Sequence, residues 1–203
     1  MTLDTSGPLR SLITHGDLTE DNFPANKTEF MRTIDRAVDR GIEFVQIREK
    51  RLDARFVFEL AREAGRIASG SGTKILVNER FDVAMAAGVH GVHLTSRSIP
   101  IATVRKFAGM GFIIGTSAHS SDDVLYAKLS GADFALLGNI FATPGKGEPL
   151  GVEKLREACV AADGFPVIAV GGIDAENSEA VTEAGAAGYA AIRYLNDFVN
   201  IGE

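Results

Sequence analysis

Polar side chains alternate along the short apolar run 44–47 and just beyond it. Gln46, Arg48 and Lys50 lie two residues apart. Because side chains alternate between the two faces of a strand, these three point the same way and Glu49 points the other way. Gln, Arg and Lys fill an apolar interior poorly and bind anions well. The segment therefore predicts an anion-binding site, with an ion-paired structural cluster as the alternative.

Glycine-rich segments after two other apolar runs offer a second place for an anion. The longest segment without periodicity, 138–147, contains Thr143 and Lys146 among its glycines. Gly171 and Gly172 directly follow another apolar run. Glycines let backbone N–H groups approach a phosphate closely, and a lysine supplies a point charge. We predict a phosphate site here; the alternatives are a solvated lysine and an ordinary tight turn.

A repeated pattern along the chain predicts how these residues are brought together. Eight short apolar runs alternate with segments whose apolar residues have helical spacing. The runs are 12–14, 44–47, 75–77, 92–94, 112–114, 134–137, 167–170 and 189–192. Such runs suit parallel strands buried on both faces, and their uniform short spacing favours a closed barrel. We predict an α/β fold of the (β/α)8 TIM-barrel type, with an open doubly wound sheet as the alternative.

The barrel prediction places the candidate residues at one end of the fold. Sites in this fold lie at the C-terminal ends of the strands, and phosphate binds after the seventh and eighth strands. A chain of 203 residues suits one barrel and is short for two ordinary domains. We therefore expect a single domain over residues 1–203, with its core from about residue 10 to 195.

Composition excludes several classes of function. With a net charge of −6, the chain lacks the basic face needed for nonspecific binding to nucleic acid or an anionic membrane. No apolar run approaches the roughly 18 residues that span a bilayer, and the N-terminus lacks a signal pattern, so we expect a cytoplasmic protein. The single cysteine, Cys159, is expected to pack in a helix rather than react. The sequence shows no P-loop, no Gly-x-Ser-x-Gly motif and no metal-type cluster of His and Cys.

Six segments at the predicted strand ends carry a family resemblance. They read VQIREK (45–50), VNERFDVA (77–84), GVHL (91–94), IGTSAHS (114–120), GNIFATPGK (138–146) and IAVGGI (168–173). In this order, across about residues 10–195, the chain resembles the thiamine-phosphate synthase family, including its TenI branch. One such motif would be weak, whereas six in order are specific.

The resemblance implies roles for the residues at these positions. The synthases join a pyrimidine diphosphate to a thiazole phosphate and release pyrophosphate with help from Mg²⁺. By resemblance, the residues that hold the diphosphate are Gln46, Arg48, Lys50, Asn78 and Lys146. Ser117 would lie beside the reacting pyrimidine, and the residues near the thiazole phosphate are Thr143, Gly151, Gly171 and Gly172. Departure of pyrophosphate needs positive charge, which Arg48, Lys50 and Lys146 supply.

Four positions depart from the family pattern. The synthases place an Asp at Glu79 and another at Ser98, both serving Mg²⁺. Glu79 keeps a carboxylate and is the predicted metal ligand, whereas Ser98 removes a charge. Asn139 stands where the synthases have Pro and TenI enzymes have a catalytic His, and an amide cannot shuttle a proton at neutral pH. Arg193 replaces a Ser beside the phosphate, where it is expected either to strengthen phosphate capture or to narrow the pocket.

Three hypotheses for function remain open at this point. The first is synthase chemistry, with Arg48, Lys50, Ser117 and Lys146 as catalytic residues and a weakly held Mg²⁺. The second is a metal-independent thiazole-phosphate tautomerase that uses His15 or His119 as its acid and base. The third is a binding protein that keeps the phosphate site without catalysis. The partners expected in all three are small phosphorylated metabolites, and the sequence leaves a homo-oligomer open.

Overall fold

The computed structural model describes residues 7–200 and shows a closed barrel of eight parallel strands in chain order. The strands are β1 (Leu9–Ile13), β2 (Phe44–Ile47), β3 (Lys74–Asn78), β4 (Gly91–Leu94), β5 (Ile113–Ala118), β6 (Phe134–Gly138), β7 (Val167–Val170) and β8 (Gly188–Ala191). The helices are α1 (Phe23–Asp39), α2 (Ala54–Ile67), α3 (Phe81–Ala87), α4 (Ile101–Ala108), α5 (Ser121–Ser130), α6 (Gly151–Ala162), α7 (Ser178–Glu183) and α8 (Arg193–Asn200). A helix follows every strand, so the (β/α)8 barrel is confirmed and the open sheet is wrong.

The packed part of the chain extends a little beyond both ends of the expected core. Leu9 opens β1 and is 3% exposed, and Val199, in the last turn of α8, is 1% exposed. Among residues 7–200, no helix combines the length and apolar character needed to cross a membrane.

Strand alternation divides the apolar side chains into two cores. Outward-facing side chains such as Val45 and Ile75 pack against the surrounding helices. Inward-facing side chains, including Phe44, Leu76 and Phe134, fill the barrel itself. The rings of Phe44 and Phe134 lie 5.2 Å apart between centroids, a distance typical of favourable aromatic pairs. The barrel interior is therefore a filled core, and ligands must bind above it.

Glycine at position 115 makes room for the largest of these interior side chains. Gly115 pairs with Phe134 across the β5–β6 boundary. A Cβ atom at position 115 would lie 2.3 Å from Cζ of Phe134, closer than van der Waals contact permits. Phe134 therefore occupies the space that a side chain at position 115 would fill, and its ring centroid lies 6.4 Å from that of His93.

Gly115→Ala is expected to destabilise the barrel by about 1–3 kcal/mol, because the added methyl group overpacks the interior against Phe134. Urea-induced unfolding measures the loss. Gly111→Ala is the matched control, since position 111 has open space and no positive φ. A second change, Phe134→Leu, should restore part of the stability lost in Gly115→Ala. Equal unfolding midpoints for Gly115→Ala and Gly111→Ala would contradict this packing.

Candidate active site

A chain of hydrogen bonds links the C-terminal ends of β2, β3 and β4. We call this end of the barrel, where the C-terminal ends of all eight strands lie, the barrel mouth. The Gln46 side chain points into the barrel and is 2% exposed. Its Nε2 donates to Oδ1 of Asn78 at 2.9 Å, and Nδ2 of Asn78 donates to Oε2 of Glu79 at 3.0 Å. The Thr95 hydroxyl, beyond β4, donates to Oε1 of Glu79 at 2.6 Å. The structure therefore brings three of the predicted site residues into one network.

Positive charge surrounds Glu79. Nζ of Lys50 lies 3.8 Å from its Oε2. The pKa of Glu79 lies below its ordinary value, chiefly because of the Thr95 hydrogen bond, with further contributions from Lys50, Asn78 and Arg48. Glu79 also adopts a positive φ of 62°, which is uncommon for a residue with a side chain. At neutral pH the carboxylate is therefore charged and partly neutralised by the lysine.

Glu49 anchors the neighbouring loop, a role that the sequence did not reveal. Its side chain points away from the barrel interior as predicted, yet it is only 4% exposed. Its carboxylate accepts hydrogen bonds from the Thr14 hydroxyl at 2.6 Å and from the N–H groups of Gly16 at 3.1 Å and Leu18 at 3.0 Å. The Thr14 oxygen in turn accepts from the N–H of Arg48 at 2.9 Å. The β1–α1 loop is thereby tied to the backbone that carries Arg48.

His93 and Ser117 form a second polar pair at the mouth. Nε2 of His93 lies 2.9 Å from Oγ of Ser117, so this inward-facing histidine is hydrogen-bonded to the neighbouring strand. Nδ1 of His93 is buried and has no partner among the described residues. Burial lowers the pKa of His93 to about 4, and the ring is therefore neutral at physiological pH.

The β6–α6 loop packs closely on the end of β7. The N–H groups of Ile140 and Phe141 donate to the carbonyls of Val170 and Gly171 at 2.9 and 3.0 Å. A Cβ atom on Gly171 would lie 2.5 Å from Cβ of Asn139, and one on Gly172 would lie 2.7 Å from Cβ of Phe141. The two glycines are therefore required by loop packing, in addition to the predicted approach of an anion.

Asn139 and Thr143 hold this loop in shape. Nδ2 of Asn139 donates to the carbonyls of Phe141 at 3.3 Å and Gly147 at 3.2 Å. The Thr143 hydroxyl donates to the same Phe141 carbonyl at 3.0 Å. Lys146 is exposed, and its ammonium group has no hydrogen bond or ion pair within residues 7–200. The asparagine amide thus serves the loop, and the lysine is available to a ligand.

Free backbone donors lie at the ends of β7 and β8. Within the described chain, the N–H groups of Gly171, Gly172, Ile192 and Arg193 donate to no carbonyl or side chain. Arg193 is exposed and is the first residue of α8. The N–H of Gly151 differs, because it donates to the Ile140 carbonyl at 3.0 Å. Gly151 is therefore close to this region but does not offer its own N–H group to a phosphate.

The predicted site residues fall into two groups that no hydrogen bond or ion pair joins within the described residues. Gln46, Lys50, Asn78 and Glu79 form the first, and Thr143, Gly171 and Gly172 lie together in the second. Neither Lys146 nor Arg193 has a hydrogen bond or ion pair with the first group in the described part of the chain.

Without a substrate phosphate, the donors around Glu79 do not complete a Mg²⁺ site. Among residues 7–200, no cluster of three or more His, Cys, Asp or Glu side chains has metal-binding geometry. Ser98 offers only a hydroxyl, which already accepts from the N–H of Thr95 at 2.8 Å. Mg²⁺ favours near-octahedral oxygen ligands with carboxylates among them, and Glu79 is a single carboxylate that Thr95, Asn78 and Lys50 already engage. Glu79 as a metal ligand stays a prediction.

Comparisons with known proteins agree with this geometry. The family model described as thiamine monophosphate synthase, TMP-TENI, matches residues 15–195. The thiamine-phosphate synthase of Moorella thermoacetica is 38% identical over 77% of this chain and 75% of its own length. That of Methanosarcina barkeri is 42% identical over 77% of this chain and 71% of its own length. A solved thiamine phosphate pyrophosphorylase from Pyrococcus furiosus matches with a TM-score of 0.79 and 26% identity, over 94% of this chain and 91% of that chain. The chain belongs to the thiamine monophosphate synthase family.

Proposed function

We propose that the protein is a thiamine-phosphate synthase, which transfers a pyrimidine diphosphate onto a thiazole phosphate with release of pyrophosphate. The observation that carries this proposal is that two separate sets of cations and unpartnered N–H groups, each suited to an anion, lie at one barrel mouth. One is cationic and lies at the end of β2; the other consists of free N–H groups at the ends of β7 and β8. Two phosphorylated substrates need two such groups.

The diphosphate is assigned to the cationic group. Arg48 and Lys50 lie close enough to the mouth that both lower the pKa of Glu79 and of His93. Lys146, on the β6–α6 loop, has no ion pair within residues 7–200, and we assign it as the third cation for the diphosphate. Preorganised cations stabilise the charge that develops on a departing pyrophosphate.

The thiazole phosphate is assigned to the N–H groups of Gly171, Gly172, Ile192 and Arg193. Arg193 supports this assignment, because a cation at a helix N-terminus is unfavourable by roughly 0.3–1 kcal/mol unless an anion binds there. No acidic side chain lies in the first turn of α8 to offset that charge. A bound phosphate would pair with both the arginine and the helix N-terminus.

The reaction follows from these positions. The bond between the side-chain carbon of the pyrimidine and the diphosphate oxygen breaks, and its electron pair leaves with pyrophosphate. The lone pair of the thiazole nitrogen then forms a C–N bond to that carbon. Arg48, Lys50 and Lys146 take up the charge of the leaving group, and Ser117 contacts the pyrimidine. No step is assigned to Mg²⁺, since the described side chains alone do not complete its ligand sphere.

Isomerisation of a thiazole phosphate is a second candidate function, and His119 favours it. Nδ1 of His119 lies 2.8 Å from the carbonyl of Gly138. A carbonyl only accepts, so Nδ1 carries the proton and Nε2 of the neutral ring is a free base. His119 is exposed at the end of β5 and could therefore move a proton where Asn139 cannot.

Purified protein given both substrates is expected to form thiamine phosphate. Lys146→Ala is expected to lower kcat/KM by about 100-fold or more, because it removes positive charge from the leaving-group site. Product formation is measured by chromatography. Lys154→Ala is the matched control, since Lys154 is exposed on α6. No product from the unaltered protein, with or without Mg²⁺, would refute the proposal; thermal stabilisation by thiazole phosphate would then indicate a binding protein.

Ser98→Asp is expected to tighten Mn²⁺ binding at least about tenfold, because it adds the carboxylate that the Glu79 cluster lacks. The electron paramagnetic resonance signal of free Mn²⁺ measures the bound fraction. Ser69→Asp, at an exposed position after α2, is the control. Tight Mn²⁺ binding by the unaltered protein would contradict our conclusion that its donors do not form a metal site.

A further inference from the structure

His93 is a buried polar side chain that the proposed reaction does not use. It is 3% exposed, and among the described residues only Nε2 of its two ring nitrogens has a partner, the Ser117 hydroxyl. The ring is neutral at physiological pH, because burial lowers the pKa of His93 by more than the negative charge of Glu79 raises it, and Arg48 and Lys50 lower it further. A neutral imidazole has one N–H group and one lone pair, so the proton is either on Nε2 or on Nδ1.

Burial decides between the two tautomers. With the proton on Nδ1, a buried N–H group would have no acceptor; with the proton on Nε2, only a lone pair would be left without a partner. Buried N–H groups without partners are rarer in proteins than acceptors that lack a donor. The side chain of Phe134, near the His93 ring, offers no hydrogen-bonding atom to Nδ1. The Nε2–H tautomer is therefore favoured.

The tautomer determines what Ser117 can offer to a ligand. When Nε2–H donates to Oγ of Ser117, the hydroxyl proton must point elsewhere. Ser117 is half-buried at the end of β5, and its hydroxyl makes no further hydrogen bond within residues 7–200. Its proton is thus available to a ligand in the mouth. In the opposite tautomer, the Ser117 hydroxyl would donate its hydrogen bond to the lone pair of Nε2. Ser117 could then offer only an acceptor to a ligand.

We infer that His93 is a positioning residue that makes Ser117 a directed hydrogen-bond donor, selecting a substrate with an acceptor at that point. This inference rests on the proposed function for the identity of the substrate. A pyrimidine ring carries two nitrogen lone pairs, and the Ser117 hydroxyl binds one of them. A substituent that donates, such as an amino group, is not the group that Ser117 recognises.

Nitrogen-15 NMR of histidine-labelled protein tests the tautomer without any substrate. The four histidines give separate ring signals, and loss of one set in His93→Gln assigns His93. At pH 7.5 we expect the nitrogen-15 chemical shift of His93 Nε2 to be that of an N–H nitrogen and the shift of Nδ1 to be that of a nitrogen without a proton. Both shifts should stay unchanged down to pH 5. A protonated Nδ1, or titration of His93 near pH 6.5, would overturn the inference.

Kinetics test whether the hydrogen bond serves the substrate. His93→Gln keeps an amide donor and should retain most of kcat, whereas His93→Leu should lose roughly tenfold or more with little change in KM for the thiazole phosphate. In a Ser117→Ala background the two His93 variants should behave alike, because the group that His93 positions is gone. Equal losses in His93→Gln and His93→Leu with Ser117 present would indicate a merely structural role and overturn the inference.

Substrate analogues separate this inference from the proposed function. Pyridine diphosphates, in which one or the other ring nitrogen is replaced by CH, are compared with the pyrimidine diphosphate by calorimetric binding. One of the two analogues should bind the unaltered protein more weakly than the pyrimidine diphosphate does. The same analogue should bind Ser117→Ala as tightly as the pyrimidine diphosphate binds that variant. If no thiamine phosphate forms, the proposed function fails, while the NMR and binding results still decide the role of His93. Equal binding of all three diphosphates to the unaltered protein would overturn the inference.

Discussion

Closure of the sheet forces every second side chain of eight strands into one shared interior, and the arrangement at the mouth follows from how that interior is filled. The lower part is apolar, with Phe44 and Phe134 in contact. The uppermost inward positions are polar, and a polar group buried there needs a partner on a neighbouring strand. Gln46 finds Asn78, and His93 finds Ser117 across the β4–β5 boundary. The candidate site is thus the upper layer of the core, held by the same packing that holds the barrel.

The barrel mouth carries positively charged side chains, although the whole chain has a net charge of −6. Lysine and arginine side chains stand at the ends of β2 and β6 and at the start of α8, while the acidic Glu79 is offset by Lys50. At the ends of β7 and β8, backbone N–H groups suit an anion without a side-chain charge. We propose that this rim holds a diphosphate and a monophosphate at separate places, as a reaction between two phosphorylated substrates requires.

Sequence reasoning predicted the elements that depend on local pattern. The bounds of β2 and β7 agree with the apolar runs 44–47 and 167–170, and alternation correctly pointed Gln46 inward and Glu49 outward. It did not reveal that Glu49 anchors the β1–α1 loop, because its partners lie about thirty residues earlier in the chain. A charged residue at the end of a strand buried on both faces was the available signal.

The glycines after β7 also have contacts with a distant segment that local sequence pattern does not predict. The sequence predicts a phosphate site or a tight turn at Gly171 and Gly172, whereas their packing against the β6–α6 loop depends on a contact between segments that the sequence does not show to be close. Likewise, the resemblance places Gly151 near the thiazole phosphate, and only the fold shows that the Ile140 carbonyl accepts its N–H group. Local pattern predicts where a strand ends, whereas tertiary contacts decide which of its groups remain free.

The central claim is that two distinct anion-binding groups share one barrel mouth. A crystal structure of the protein with thiamine phosphate and pyrophosphate tests it most directly. The account predicts the phosphate of thiamine phosphate on the N–H groups of Gly171 and Gly172, and pyrophosphate against Arg48, Lys50 and Lys146. Both anions at one of these places, or either of them bound outside the mouth, would contradict it.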